Sequence, residues 1–317
     1  MFDITAFGEL LIDYTQAGVS PSGMKLFEQN PGGAPANVLA CAAKLGQETA
    51  FIGKIGADMQ GDFLRKTLRD AKINTQGLVT DENFFTTLAF VSLKANGERS
   101  FSFARKPGAD LQIRTEDVEL SIIQNSRIFH FGSLSLTDNP ARDTTLFALQ
   151  EARKANCIIS YDPNYRPLLW KSEAQAKEQM RSVLPFVDLI KISDEEMELL
   201  TGYKESESAA KSLIDSGIKV VAITLGEKGA IIATKDECDT VPAFCVKAVD
   251  TTGAGDAFWG AFLYSVGETG KKIRELGFAE LRDITKFANA AAAICVTKRG
   301  AIPAMPELRD IKAILNL

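Results

Sequence analysis

Strand-length apolar runs alternate with helix-like segments along most of this chain, and that alternation restricts its fold more than any other feature. Residues 4–12, 50–52, 128–131, 157–161, 187–192 and 220–224 read as strands; residues 35–45, 62–70, 141–154, 195–200, 257–264 and 284–294 read as helices. Helices placed between buried strands imply crossover connections. The pattern therefore predicts an α/β fold with a mainly parallel sheet covered on both faces. Two stretches break the rhythm. Residues 14–31 are polar and glycine-rich, and residues 86–103 hold two strand-like runs around Asn96-Gly97, a strong hairpin signal. A hairpin inserted into an α/β domain is usually ornament; here it also suits a small β-lid. No internal repeat or low-complexity linker divides the chain. One domain over 1–317 is expected, with lid elements at about 14–31 and 86–108.

Bulk properties exclude several functions. A net charge of −5 and a pI of about 5.2 do not favour nucleic acid or an anionic membrane as a partner, because either would demand a basic face. No apolar run approaches the ~18 residues of a membrane span, and the first residues lack the basic start and apolar stretch of a secretory signal. The five cysteines (Cys41, Cys157, Cys238, Cys245, Cys295) are scattered, odd in number and without a C-x-x-C, as expected of a reduced, cytoplasmic protein. The single histidine, His130, lies inside a strand-like run and reads as structural. A histidine-rich metal site is impossible, and any general base is expected to be a carboxylate or lysine.

The most informative string is Asp250-Thr251-Thr252-Gly253-Ala254-Gly255-Asp256, followed by an apolar helix. Small residues let backbone N–H groups approach a ligand closely, and a helix start adds free N–H groups and partial positive charge. Together they make an anion site suited to a phosphoryl group. Asp256 would repel a phosphate, which makes sense if it accepts a proton from an attacking hydroxyl; it reads equally well as a helix N-cap. Neither a P-loop nor a G-x-G-x-x-G fingerprint is present. A second string, Pro31-Gly32-Gly33-Ala34-Pro35-Ala36-Asn37, is a Gly-Gly turn into a helix. It is either an ordinary helix start or a close backbone approach to a polar ligand, with Asn37 offering a donor and an acceptor.

These two strings, with Gly8-Glu9-Leu10-Leu11-Ile12-Asp13, Lys191-Ile192-Ser193-x-x-Glu196, Thr224-x-Gly226-x-x-Gly229 and Lys298-Arg299-Gly300-Ala301-Ile302-Pro303, resemble the signature segments of the ribokinase/PfkB carbohydrate kinases over almost the whole chain. The resemblance implies a ribokinase-like three-layer sandwich carrying a β-lid, with sugar bound between core and lid. It implies Asp256 as general base, with Gly253, Ala254 and Gly255 stabilising the moving phosphoryl group. Asp13, Gly32, Gly33 and Asn37 match the sugar-binding positions. Lys191, Thr224, Gly226, Gly229 and Asn289 match the nucleotide site, and with them Ser193 and Glu196, which match the segment that orders phosphate-bound Mg²⁺ through water. Many members carry Asn where Ser193 stands. A K⁺ site is implied at Asp250 and Thr252 together with Cys295, Lys298 and Gly300, although Ala304 stands where some relatives offer a hydroxyl.

The Gly-Gly-Ala-Pro-Ala-Asn string is similar to fructokinases within that family, which implies ATP-dependent conversion of fructose to fructose 6-phosphate. Arg105 and Arg166 are expected at the lid rim, on sugar hydroxyls or on a carboxylate. Two arginines also suit a 2-keto-3-deoxygluconate kinase. A non-catalytic sugar-sensing or interaction subunit is the reading from another class, which the complete Asp256 loop disfavours. The expected partner is a small sugar, with neither nucleic acid nor membrane, and a lid hairpin of this kind often pairs with its copy to form a homodimer.

Overall fold

A computed structural model describes residues 1–93 and 99–316; the Asn96-Gly97 turn lies outside the described residues. In chain order, the elements begin with β1 (Phe2–Phe7), β2 (Leu11–Val19), β3 (Lys25–Gly32), α1 (Ala34–Leu45), β4 (Thr49–Gly56), α2 (Met59–Asp70) and β5 (Asn74–Asp81). Then come β6 (Leu88–Leu93), β7 (Arg99–Ala104), α3 (Leu120–Gln124), β8 (Ser126–Gly132), α4 (Ala141–Lys154), β9 (Ile158–Asp162), α5 (Glu173–Ser182), β10 (Leu189–Ser193), α6 (Asp194–Thr201) and α7 (Ser206–Asp215). The chain closes with β11 (Val220–Thr224), β12 (Ala230–Ala233), β13 (Cys238–Val241), α8 (Ala254–Glu268), α9 (Phe278–Cys295) and α10 (Leu308–Leu315).

A nine-stranded sheet runs β13-β12-β11-β10-β9-β8-β1-β4-β5. It is parallel except where β12 pairs antiparallel with β11 and with β13. Successive strand residues feed opposite faces. Ile128, Leu189, Val220 and Ala222 pack with α1, α8 and α9, whereas Phe129, Ile190, Val221 and Ile223 pack with α4, α6 and α7. That period of two makes three layers, helices over both faces of a buried parallel sheet. No helix among the described residues is long and apolar enough to cross a membrane.

The single strand expected over residues 4–12 is two. The chain turns at Gly8, where a Cβ would lie 2.7 Å from the Pro35 ring, and β2 leaves for a second sheet. That sheet has the order β3-β2-β6-β7. The polar stretch 14–31 is therefore mostly strand, an antiparallel β2–β3 pair, beside the expected β6–β7 hairpin. Its polarity hid it because both of its faces stay partly open. The chain order reverses between β1 and β8, and at such a switch point the crevice lies beyond the carboxyl ends of the strands.

Helices α1 and α8 approach closely over the sheet. A Cβ at Gly260 would sit 2.6 Å from both Cys41 Cβ and Val38 O. Beneath them, Trp259 Nε1 donates to Ser160 Oγ (2.8 Å), which bonds His130 Nδ1 (3.0 Å). Burial pushes His130 down to about 3, so the ring stays neutral and structural. We expect Gly260→Ala to force α1 and α8 apart and to cost about 1–3 kcal/mol, read as a lowered denaturation midpoint in guanidinium chloride.

Candidate active site

The site grows from the first turn of α8. Gly253 is the N-cap, in the left-handed region at φ 78°, and no side chain caps the helix. Asp256 is the third helical residue, so the N-cap alternative falls away. The N–H groups of this first turn have no acceptor within the helix. A Cβ at Gly253 would lie 2.8 Å from Ala301 Cβ, and one at Gly255 3.0 Å from Lys191 Nζ. Glycine at 255 thus lets the Lys191 ammonium close over the helix start, adding a full positive charge to a partial one.

Asp256 is buried, and its Oδ2 accepts from Asn37 Nδ2 at 2.8 Å. Burial, with the nearby Asp162 carboxylate, raises its pKa to about 6 against the pull of Lys191, Asn37 and Arg166. Asn37 comes from the first turn of α1, which follows the Gly32-Gly33 turn. The other amide atom, Asn37 Oδ1, is a buried acceptor with no partner in the protein. Asp13, on β2, is also raised to about 6, by burial and the charge of Asp256, with Arg166 opposing. A Cβ on Gly32 would clash with Asp13 Oδ2, and one on Gly33 with Glu9 O, so both glycines are demanded by close approach. Asp13, Gly32, Gly33, Asn37, Asp256 and the exposed Arg166 therefore form one cluster between core and second sheet.

Arg105 departs from the expected open rim. Its side chain is 2% exposed and ion-paired with Asp110 at 2.6 Å. Its remaining donors reach Thr137 Oγ1 and Leu134 O.

Lys191 Nζ bonds Asp162 Oδ2 at 2.9 Å. Burial alone would lower its pKa, but the Asp162 and Glu196 carboxylates raise it, so the ammonium persists. Glu196 closes a capping box on Ser193: its Oε2 accepts from the Ser193 N–H and Oγ, and its Oε1 from Tyr165 N–H. Thr224 ends β11, and Gly226 and Gly229 shape the following turn at φ 58° and 101°. A Cβ on Gly229 would strike Val241 O at 2.1 Å, and Asn289 Nδ2 holds the carbonyls of Val241 and Pro242. Gly229 and Asn289 thus meet at the segment that follows β13, and Thr224 and Gly226 lie on the chain leading into Gly229.

Asp250 joins two distant segments: its Oδ1 accepts from Thr252 N–H and Oγ1, and its Oδ2 from Gly300 N–H. Cys295 Sγ lies 3.8 Å from Thr252 O, whereas the Lys298 ammonium faces Asp310. Oxygen donors of this kind, a carboxylate and backbone carbonyls, suit a hard cation. Among the described residues no group of three His, Cys, Asp or Glu side chains forms a metal cluster.

Two acids escaped the sequence reading. Asp162 sits at the end of β9, fully buried; its only local signal is a carboxylate closing an apolar strand. Glu9 is also buried. Its Oε1 accepts from Ala34 N–H at 3.1 Å, its Oε2 has no partner, and burial raises it to about 7.

The raised Asp256 gives a stability test. Its folded pKa of about 6 exceeds the ordinary 3.8, so between those values the folded state binds the proton more tightly. The stability this group adds is present in acid and lost as pH rises through about 6. Asp256→Asn should therefore melt a few degrees above the parent protein at pH 7.5, and the gain should vanish below pH 4; thermal unfolding at the two pH values checks this.

The model of the pfkB family carbohydrate kinases matches residues 1–308. A probable fructokinase-5 of Arabidopsis thaliana is 42% identical, over 99% of this chain and 97% of that protein. The fructokinase of Xylella fastidiosa with bound ATP superposes with a TM-score of 0.90 at 33% identity, covering 99% of this chain and 98% of that one. The fructokinase of Vibrio cholerae O395, in a form with fructose, ADP and calcium ion, gives 0.89 at 31% identity over 99% of each chain. With a continuous match of this length, the ribokinase-like layers and the Asp256 helix start on one chain, the protein belongs to the pfkB family of carbohydrate kinases.

Proposed function

We propose that this chain is a fructokinase, transferring the γ-phosphoryl group of ATP to fructose to give fructose 6-phosphate and ADP, with Asp256 as general base. The observation that carries it is the Asn37–Asp256 pair at the uncapped start of α8. The fructokinase relatives over the full chain, and the neighbour with fructose and ADP, support the substrate pair.

In this reading, Asp13, the Gly32-Gly33 turn and the unpartnered Asn37 Oδ1 hold sugar hydroxyls. Asn37 occupies Asp256 Oδ2, which leaves Oδ1 to take the proton from the attacking hydroxyl. The sugar oxygen forms a bond to phosphorus as the bond to the β-phosphate oxygen breaks. The N–H groups around Gly253, Ala254 and Gly255, with Lys191, meet the charge of the moving phosphoryl group. Thr224, Gly226, Gly229 and Asn289 frame the nucleotide site. Mg²⁺, when bound, supplies charge neutralisation on the phosphates. Glu196 Oε1, which accepts only from Tyr165 N–H, keeps a lone pair that could hold metal-bound water. K⁺ fits the oxygen donors around Asp250 and Thr252, with the carbonyls of Cys295, Lys298 and Gly300, and would stiffen the anion loop. The outer lid face carries the half-exposed Phe27 and Phe90, the latter stacked on Tyr14. A second copy of the chain is the partner we propose there.

Asp256→Asn should lower kcat by ~10²–10⁴ and leave nucleotide binding intact, because the anion site loses no donor. In the parent enzyme, kcat/KM should fall with acid through about pH 6, where Asp256 protonates. An acid limb near pH 4, or near-normal kcat in the variant, would remove Asp256 from the base role. For the substrate, a neutral sugar needs only hydrogen bonds from Arg166, so Arg166→Lys should cost less than about tenfold in kcat/KM. A carboxylate held by the bidentate fork would cost far more. Fructose should also be preferred over 2-keto-3-deoxygluconate; faster turnover of the keto-acid at equal concentration would overturn the fructose assignment.

A further inference from the structure

The root of the lid is tied by a buried ionic cluster that the proposed chemistry does not use. Thr87 stands immediately before β6 and Arg105 immediately after β7, so the two residues mark the two roots of one hairpin. Asp110, on the turn that follows, binds both. Its Oδ1 accepts from Thr87 Oγ1 at 2.5 Å, and its Oδ2 accepts from Arg105 Nε at 2.8 Å and pairs with Nη2 at 2.6 Å. The guanidinium continues into the core, donating to Thr137 Oγ1 at 3.0 Å and Leu134 O at 2.9 Å, beyond the end of β8. The side chains of Arg105 and Asp110 are 2% and 1% exposed. The cluster closes around Gly108, where a Cβ would lie 1.9 Å from Thr87 Oγ1 and 2.7 Å from Asp110 Oδ1.

The same cluster reaches β2. Ile12 N–H donates to Thr87 O at 3.1 Å, and the next residue, Asp13, pairs with Ala89 of β6. We propose that Arg105, Asp110 and Thr87 form a hinge clamp that fixes the angle at which β2 and β6 leave the core, and so positions Asp13 over the sugar site. A buried ion pair adds little net stability over apolar packing, but breaking it leaves an uncompensated charge, so it tolerates few geometries. At a lid root, that constraint becomes a constraint on the lid. Arg105 acts here through Asp110 and the core carbonyl, as a positioning residue, and the inference rests on Asp13 being a sugar-binding residue.

Two variants test it. Thr87→Val keeps the side-chain shape and removes the donor to Asp110; Arg105→Lys keeps the charge and removes the fork. Amide hydrogen exchange is read on the ligand-free protein, and steady-state kinetics on fructose and ATP. Both variants should speed exchange in β2 and β6 by roughly tenfold, the scale of one lost hydrogen bond, with α8 amides unchanged. Both should raise KM for fructose severalfold, with KM for ATP and kcat within about twofold of the parent. Unchanged lid exchange in Thr87→Val overturns the clamp. Faster lid exchange with an unchanged KM for fructose overturns its link to Asp13. A raised KM in Arg105→Lys but not in Thr87→Val would make Arg105 a direct sugar ligand and also overturn the proposal. Exchange is measured without sugar, so a wrong substrate assignment shows separately, as no turnover of fructose by the parent enzyme.

Discussion

The hydrogen bond from Asn37 to Asp256 joins the first turns of two helices whose residues lie 219 positions apart, and much of the site depends on it. It exists only because α1 and α8 come within reach of each other, which the bare backbone at Gly260 against Cys41 and Val38 allows. Helix α8 is held from below as well, by the Trp259–Ser160–His130 chain inside an otherwise apolar layer. This chain of hydrogen bonds ties the helix to β8 and β9, although His130 Nε2 at its far end has no partner in the protein. The one histidine thus serves the carboxylate from a distance.

Charge at the site alternates in sign. Asp162, Lys191 and Asp256 lie in sequence from the end of β9 to the start of α8, with Lys191 bonded to Asp162. Two carboxylates near one buried ammonium keep it protonated, while the same burial leaves Asp256 at about 6. The Asp256 carboxylate is therefore weakly hydrated and exchanges a proton near neutrality, while the ammonium keeps its charge. Asp13 and Glu9 extend the same economy of burial, at about 6 and about 7. Such clustering of strained carboxylates costs stability, and it is concentrated where the switch point of the sheet opens a crevice.

The core and the second sheet divide the labour. The large sheet supplies Asp162, Lys191 and Thr224 from β9, β10 and β11, and α8 follows its last strand, whereas α1 follows β3 of the second sheet. The four-stranded sheet supplies Asp13 and covers the same crevice. Asp13 and Asp256 thus come from different layers, and their separation is set by the joint between the two sheets.

Local sequence was enough for the layers and for the anchors of the site. Alternating apolar runs reported the buried parallel strands, because burial on both faces removes polar positions from them. The small residues at Gly253 and Gly255, and the Gly32-Gly33 turn, reported close backbone approach, because a Cβ at any of these positions has a neighbour inside contact distance. Local sequence misread residues 4–12, where β1 and β2 differ in sheet though not in composition, and residues 14–31, whose strands are polar because the lid stays open to solvent. It also left Asp256 undecided between cap and base, placed Arg105 at a rim it does not occupy, and did not single out Asp162 or Glu9 as site residues. Those matters turn on which side chains meet across the fold: Asn37 with Asp256, Lys191 with Asp162, Arg105 with Asp110 and Leu134. Periodicity records how deeply a residue is buried, but the partner it finds there is set by the packing of distant elements, and only the tertiary structure decides that.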